Sequence, residues 1–221
     1  MEPCGHEGPR LAGCRISQMT LESLLVFLKA PRPGQVKTRL ATTLGDEAAC
    51  GIYRRLVETV LDRISSLPNV RLVYAPTDAE EEIQPWVRPG WEIHPQESGD
   101  LGQRLHLAFR SAFARGAHRV VIIGSDCPAI TTSDITAAWS ALRMMDVVLG
   151  PATDGGYWLI GLRRPQPVLF ENIAWSTGTV FCDTLESARG AGLKVSILRE
   201  LSDVDTEADW LNFLESEKAR E

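Results

Sequence analysis

No stretch of this sequence stays apolar for long enough to span a bilayer, and its first residues lack the apolar core of a secretory signal. A soluble cytoplasmic protein is therefore expected. Cysteine is scarce and scattered. The five residues Cys4, Cys14, Cys50, Cys127 and Cys182 are odd in number and contain no Cys-x-x-Cys pair, which argues against a disulfide framework and against structural zinc. Cys4, His6 and Cys14 have no fourth ligand at metal spacing. A basic excess is also missing. With 23 Lys and Arg against 29 Asp and Glu, the net charge is −6, which argues against a surface built for nucleic acid or acidic lipid. A small anionic ligand in a local basic pocket is still compatible with that balance.

The chain does contain short apolar runs alternating with helical patterns. Leu24–Leu28, Val70–Tyr74, Trp91–His94, Val120–Ile123, Asp146–Gly150 and Lys194–Leu198 read as strands. Between the first two, apolar residues from Ala48 to Ile64 recur at three- and four-residue spacing, marking an amphipathic helix opened by Gly45-Asp46. Further helices are expected over 80–86, from Leu101, over 134–142 with a cap among Thr131, Thr132 and Ser133, from Val180 to Gly190, and at the C-terminus. This alternation predicts an α/β fold with a parallel sheet covered on both faces. Residues 1–20 read as a loosely ordered leader, with Met19 a possible natural start, and 21–221 as one domain.

The central run Val120-Val121-Ile122-Ile123 suits a strand buried on both sides, and Gly124-Ser125-Asp126-Cys127-Pro128 follows it at once. Ligands of open α/β sheets bind outside the carboxyl ends of the strands, so Asp126 is expected at the ligand edge. After the first strand, Lys29-Ala30-Pro31-Arg32-Pro33-Gly34 forces a loop that continues through Lys37 and Arg39. If 37–39 are extended, Lys37 and Arg39 share a side and converge on one anion, while Gly34 admits backbone N–H groups. A Walker P-loop is excluded because Pro31 and Val36 stand where that motif needs glycine.

Gly99-Asp100-Leu101-Gly102 sits at a helix entrance, where it serves either as a cap or as a ligand contact. Asp154-Gly155-Gly156 reads as a hairpin turn. With Tyr157-Trp158 beside the ligand edge it also resembles a substrate pocket. Trp175-Ser176-Thr177 precedes a helix, with Ser176 or Thr177 as its N-cap or as an anion contact. Asp203, Asp205, Glu207 and Asp209 are more carboxylates than one helix start needs. Asp205 is the expected partner of Asp126 around one Mg²⁺ or Mn²⁺, with Asp203 the alternative, since a hard cation prefers carboxylate oxygen.

Six blocks, taken in order, resemble the DUF2064 family of the glycosyltransferase A superfamily. They are Lys29-Ala30-Pro31 through Leu40, Gly99–Gly102, Gly124–Pro128, Gly150-Pro151 with Asp154–Tyr157, Trp175–Thr177, and Asp203–Thr206. The resemblance implies a nucleotide-diphospho-sugar transferase fold, a three-layer α/β/α sandwich whose mixed, mostly parallel sheet has about seven strands, with a nucleotide half followed by an acceptor half. It implies nucleotide contacts at Lys29, Gly34, Lys37, Arg39, Gly99, Gly102 and Ser125. Substrate contacts follow at Asp154, Gly155, Gly156, Tyr157, Trp175, Ser176 and Thr177, and metal ligands at Asp126 and Asp205.

The expected activity is a metal-dependent transfer from a nucleotide-activated substrate to a small-molecule acceptor. Sugar transfer, as the superfamily's name suggests, would use Asp154 as base. Nucleotidyl transfer from a nucleoside triphosphate is the alternative, and a non-catalytic nucleotide-binding module a third. Lys37, Arg39, Asp126 and Asp154 are the candidate catalytic residues. The sequence leaves the oligomeric state open.

Overall fold

The computed structural model describes residues 22–219, so the leader and Met19 lie outside the described residues. In chain order the elements are β1 (Glu22–Lys29), α1 (Thr38–Leu44), α2 (Asp46–Arg63), β2 (Val70–Ala75), α3 (Glu80–Ile83), β3 (Glu92–Pro95), α4 (Leu101–Ala114) and β4 (Arg119–Ile123). They continue as α5 (Thr132–Ala141), β5 (Val147–Pro151), β6 (Tyr157–Leu162), α6 (Val180–Gly190), β7 (Val195–Ile197) and α7 (Glu207–Lys218). Single 3₁₀ turns fill Gln84–Trp86 and Pro167–Phe170.

Among the described residues seven strands form one sheet in the order β3-β2-β1-β4-β6-β5-β7. Of these only β6 runs against the rest, pairing antiparallel with both β4 and β5. The other neighbours are parallel. From β1 the chain builds outward through β2 and β3 and then returns to β1's other side as β4, which places the topological switch point, the favoured ligand crevice of such sheets, between β1 and β4.

Alternating residues feed two cores, because successive side chains of a strand face opposite ways. On one face Leu24, Val26, Val121, Ile123 and Val148 pack with Tyr53, Val57 and Leu61 of α2 and Ile135 and Trp139 of α5. On the other face Leu25, Val120, Ile122, Leu149 and Ile160 pack with Leu105 and Phe109 of α4 and Ala188 of α6. The result is the expected α/β/α arrangement. Among the described residues no helix is long and apolar enough to cross a membrane.

The helix starts obey local chemistry. Asp100 caps α4 and forms a reciprocal capping box with Gln103. Thr131, the first of the three proposed hydroxyls, does the same for α5 with Asp134. Asp134 also takes Nε and Nη2 of Arg199, each at 2.7 Å. Burial pushes the Asp134 carboxyl up, but the bonds from Arg199 and Thr131 outweigh it and hold the group below its ordinary value. Asp134→Ala is therefore expected to cost about 2 kcal/mol at pH 7, combining the lost N3 half of the capping box with the loss of two charge-assisted bonds from a half-exposed partner. A depressed carboxylate stabilises the fold above its unfolded pKa of about 3.9, and that contribution fades as pH falls through the lower folded value. Urea unfolding of both proteins should show the full gap at pH 7 and a shrinking gap below pH 4.

Candidate functional site

Most of the residues singled out in the sequence lie along one edge of the sheet, where β1, β4, β5 and β7 end and β6 begins. β1 delivers Lys29, β4 leads into Ser125-Asp126, and β5 leads into the turn bearing Asp154. Asp205 arrives from the far end of the chain by a specific route. The Leu201 N–H donates to the Pro151 carbonyl at 3.1 Å, and the Val204 N–H to the Asp126 carbonyl, also at 3.1 Å. Val204 is buried with Leu56 and Phe213, so the segment is pinned by packing as well. Its flanking carboxylates, Asp203 and Asp205, stand at the rim of the β4 end.

Lys37 lies between the two acids. Its Nζ is 3.0 Å from Asp126 Oδ1 and 2.9 Å from Asp205 Oδ1, and its side chain is only 4% exposed. Arg39 Nη1 reaches Asp205 Oδ2 at 3.2 Å while remaining largely in solvent. Residues 37–39 are not extended, contrary to the expectation. Lys37 adopts a left-handed conformation (φ 48°, ψ 46°) as the N-cap of α1, and Thr38 begins the helix. The two cations converge because Asp205 reaches both, one from the loop and one from the helix. A non-glycine residue in that region costs on the order of 1 kcal/mol, which the two ion pairs and buried Val36 offset. Burial pulls the Lys37 ammonium pKa down, but the charges of Asp126 and Asp205 outweigh it and hold the group above its usual value.

Two adjoining chambers open on this triad. The first, a cavity of about 480 Å³, is lined by Lys29, Lys37, Arg39 and Arg104 together with Tyr53, Gln96 and Ser125. The second, of about 390 Å³, is lined by Asp154, Asp203, Tyr157, Trp158, Trp175 and Thr177. Asp126, Asp205, Arg39, Gly124, Leu101 and Ser176 belong to both, so the acids form the threshold between a basic chamber and an acidic one. In the acidic chamber Asp203 is partly buried, and that burial, with the charges of Asp154 and Asp205, pushes its carboxyl up to about 6. Asp154 accepts the Gly156 N–H at 2.8 Å, so it holds its own turn as well as facing the chamber. The hairpin and pocket readings of that turn both apply.

Several expected contact residues are placed elsewhere. Gly34 (φ 74°) turns beside Asp46, outside the lining of either chamber. Gly99 and Gly102 are also outside it. Gly102 lets the Trp175 indole lie on the start of α4, where a Cβ would stand 2.7 Å from the ring. Gly155 (φ 87°) backs onto the Gly178 carbonyl oxygen. Ser125 reaches the basic chamber but is itself buried, its Oγ 3.4 Å from the Tyr53 hydroxyl. Ser176 and Thr177 do not cap α6. Its N-cap is Thr179, and Thr177 Oγ1 instead donates to the Ala174 carbonyl at 2.7 Å. Gly190 closes α6 as expected, and Gly192 (φ 70°) makes the turn that follows.

Three lining residues, Gln96, Arg104 and Tyr53, carry no signal of their own in the sequence. Gln96, just past β3, donates through Nε2 to the carbonyls of Val73 (3.0 Å) and Leu28 (3.3 Å), and its Oε1 holds Arg104 Nη1 at 2.8 Å. Tyr53 receives the Lys29 N–H at 2.8 Å and lies 3.1 Å from the Lys29 carbonyl, fixing the end of β1. The rule that locates Asp126, inspection of the residue just beyond a parallel strand, locates Gln96 when applied to β3.

The donor set fits a hard divalent cation. One cation, the Lys37 ammonium, already stands about 3 Å from an oxygen of each acid, so a single ion can reach both. Asp126 Oδ1 is buried, and the Lys37 ammonium faces it at 3.0 Å. Among the described residues no group of three His, Cys, Asp or Glu side chains forms a metal cage. A pair of carboxylates is a donor set that Mg²⁺ can take, its shell completed by water and substrate phosphate.

Residues 61–177 match the family described as uncharacterized protein conserved in bacteria (DUF2064). A crystal structure from Desulfovibrio desulfuricans G20, provisionally described as a nucleotide-diphospho-sugar transferase, is 38% identical, with a TM-score of 0.82 over 89% of this chain and 87% of that one. The phosphoenolpyruvate guanylyltransferase of Sphaerobacter thermophilus is 29% identical over 84% of this chain and 89% of its own length. The 3-phospho-D-glycerate guanylyltransferase of Phenylobacterium zucineum is 28% identical over 59% of this chain and 62% of its own. The chain belongs to the DUF2064 family, and it is a transferase with the nucleotide-diphospho-sugar transferase fold.

Proposed function

We propose that this transferase moves a nucleotidyl group from a nucleoside triphosphate to a phosphorylated small molecule, with Mg²⁺ or Mn²⁺ held by Asp126 and Asp205. The observation that carries the reading is the division of charge in the cleft. A chamber with four cationic side chains meets one with two further carboxylates at a threshold made by Asp126, Lys37 and Asp205. In the reaction an oxygen of the acceptor phosphate forms a bond to the α-phosphorus, the bond from that phosphorus to the β-bridging oxygen breaks, and pyrophosphate departs with the electron pair. Lys37 and Arg39 are placed to take the charge of the departing pyrophosphate, which is stabilisation where charge accumulates. A divalent ion at the threshold would supply positive charge to the phosphate under attack. In the acidic chamber such an ion would also make an anionic acceptor tolerable, since Asp154 and Asp203 otherwise repel it. The names of the two guanylyltransferase relatives support this choice over sugar transfer.

Sugar transfer from a nucleotide-sugar is the second reading, favoured by the description of the Desulfovibrio structure. It would use Asp154 as base, although that carboxylate already accepts the Gly156 N–H. The two readings separate by products. The protein is incubated with Mg²⁺ and each nucleoside triphosphate plus phosphoenolpyruvate or 3-phospho-D-glycerate, and separately with UDP- and GDP-sugars. Pyrophosphate release together with a nucleotidylated acceptor in the mass spectrum is the expected result. Nucleoside diphosphate release from the sugar donors alone would support the second reading, and binding of nucleotide with no turnover in either arm would leave a nucleotide-binding module.

A further inference from the structure

Taking the metal reading above as its basis, we propose that the Lys37 ammonium occupies the metal's place in the free protein. A divalent cation then enters only in exchange for it, in company with a polyphosphate that receives the displaced ammonium. The species this site takes up is thus a metal–polyphosphate complex and not the free metal ion.

The argument begins with distances. Lys37 Nζ lies 3.0 Å from Asp126 Oδ1 and 2.9 Å from Asp205 Oδ1, bridging the two acids expected to hold the metal. Mg²⁺ sits about 2.0–2.1 Å from its oxygens, so an ion joined to both of these would stand within a few ångströms of the ammonium. The Lys37 side chain is 4% exposed, so the ammonium itself is shielded from solvent even though the acids reach the chambers, and like charges beside it are only partly screened. A divalent ion that joins the two acids while Lys37 stays therefore meets an uncompensated repulsion.

The route by which Lys37 leaves is set by its anchorage. Val36 before it and Leu40 after it are buried, which fixes the backbone. The four-carbon stem has rotatable bonds, and Lys37 lines the basic chamber, so a change of rotamer would carry the ammonium toward that space. Among the described residues the two acids are the only carboxylates lining that chamber, so the ammonium has no alternative anion on that side in the free protein. A polyphosphate in the chamber provides one. Metal and polyphosphate then favour each other's binding, and the coupling is reciprocal. Arg39 differs because it pairs with Asp205 from solvent, three-quarters exposed, and need not vacate the space between the acids.

The test measures free Mn²⁺ by electron paramagnetic resonance, without turnover, for wild type and Lys37→Gln, with thermal melting to confirm that the variant folds. Lys37→Gln is expected to bind Mn²⁺ alone at least ten times more tightly than wild type, although it has lost a cation from the proposed site. Equal or weaker binding overturns the exchange. As a second measurement independent of the variant, wild-type crystals soaked in Mn²⁺ are examined for anomalous density. Density bridging Asp126 and Asp205 with Lys37 still paired to both acids also overturns it. Binding of a non-hydrolysable GTP analogue with Mn²⁺ to wild type separates the two failures. If the complex binds and Lys37→Gln gains nothing, only the exchange is wrong. If wild type binds neither Mn²⁺ nor the complex with this analogue or with the corresponding ATP, CTP and UTP analogues, the nucleotide reading fails with it.

Discussion

Asp126→Asn is expected to lower metal-supported nucleotidyl transfer by about 10²- to 10³-fold, the scale of losing one preorganised charge-stabilising group, while leaving the thermal midpoint near that of wild type. The asymmetry follows from position. Asp126 lies beyond the last residue of β4, its side chain is half exposed, and the backbone contribution of this residue, the carbonyl that accepts the Val204 N–H, survives the substitution. The change removes one of two charges that hold Lys37 and, on the present reading, one of two metal ligands. A neutral amide still packs in the same space. Initial rates with saturating triphosphate and varied Mg²⁺, set beside calorimetric melting, check both halves. A collapse of the midpoint would show that Asp126 is chiefly structural, and unchanged rates would remove it from the chemistry.

The second large effect concerns folding. Gly155→Ala should destabilise the protein by about 3 kcal/mol or more, a fall of about 6–12 °C in melting temperature for a chain of this size. Two independent penalties combine. The residue has φ 87°, where alanine is strained, and a Cβ there would run into the Gly178 carbonyl oxygen, which is backbone and cannot rotate away. The same turn accepts the Phe181 N–H through the Gly155 carbonyl at 2.9 Å, so any shift is passed to the start of α6. Gly51 is the control. It lies within α2 with open space where its Cβ would go, and Gly51→Ala should stabilise by about 0.5–1 kcal/mol through helix propensity alone. Equilibrium unfolding of the pair compares them, and equal effects would refute the close approach.

The sheet is legible in the sequence because the buried strands are short apolar runs closed by proline, glycine or a charge. Val120–Ile123 followed by Gly124 and Pro128 is the clearest case, and it places Asp126 at the ligand edge without any tertiary knowledge. Local rules fail where a residue behaves against type. Nothing in the neighbourhood of Lys37 announces a left-handed conformation, since glycine is the usual occupant, and an extended segment is the natural expectation. The hydroxyl-rich run 176–179 offers several equivalent caps, yet Thr177 is committed to the Ala174 carbonyl and Thr179, at the N-cap position, donates to Asp183 without a side-chain cap bond. Glycine-rich turns draw attention as ligand contacts, yet Gly102 and Gly155 are small because an indole and a backbone carbonyl press against them.

Opposite charge makes the joining of Asp205 to Lys37 conceivable, but no local pattern requires it. The contact rests on backbone hydrogen bonds from Leu201 to the Pro151 carbonyl and from Val204 to the Asp126 carbonyl, and on a small core of Leu56, Val204 and Phe213. Gln96 and Arg104 are silent in the sequence because their significance lies in a bond between them, and the helix start that brings them together reads locally as a cap.

The 168-residue separation of Lys37 and Asp205 has a bearing on biosynthesis. A nascent chain can form most of the sheet while its C-terminal segment is still inside the ribosome, but the threshold charge that Asp205 provides is absent until that segment emerges. On the nucleotidyl-transfer reading, prematurely terminated products should therefore fail to bind the polyphosphate–metal complex even where their cores have formed, so an incomplete polypeptide would neither sequester nucleotide nor spend it.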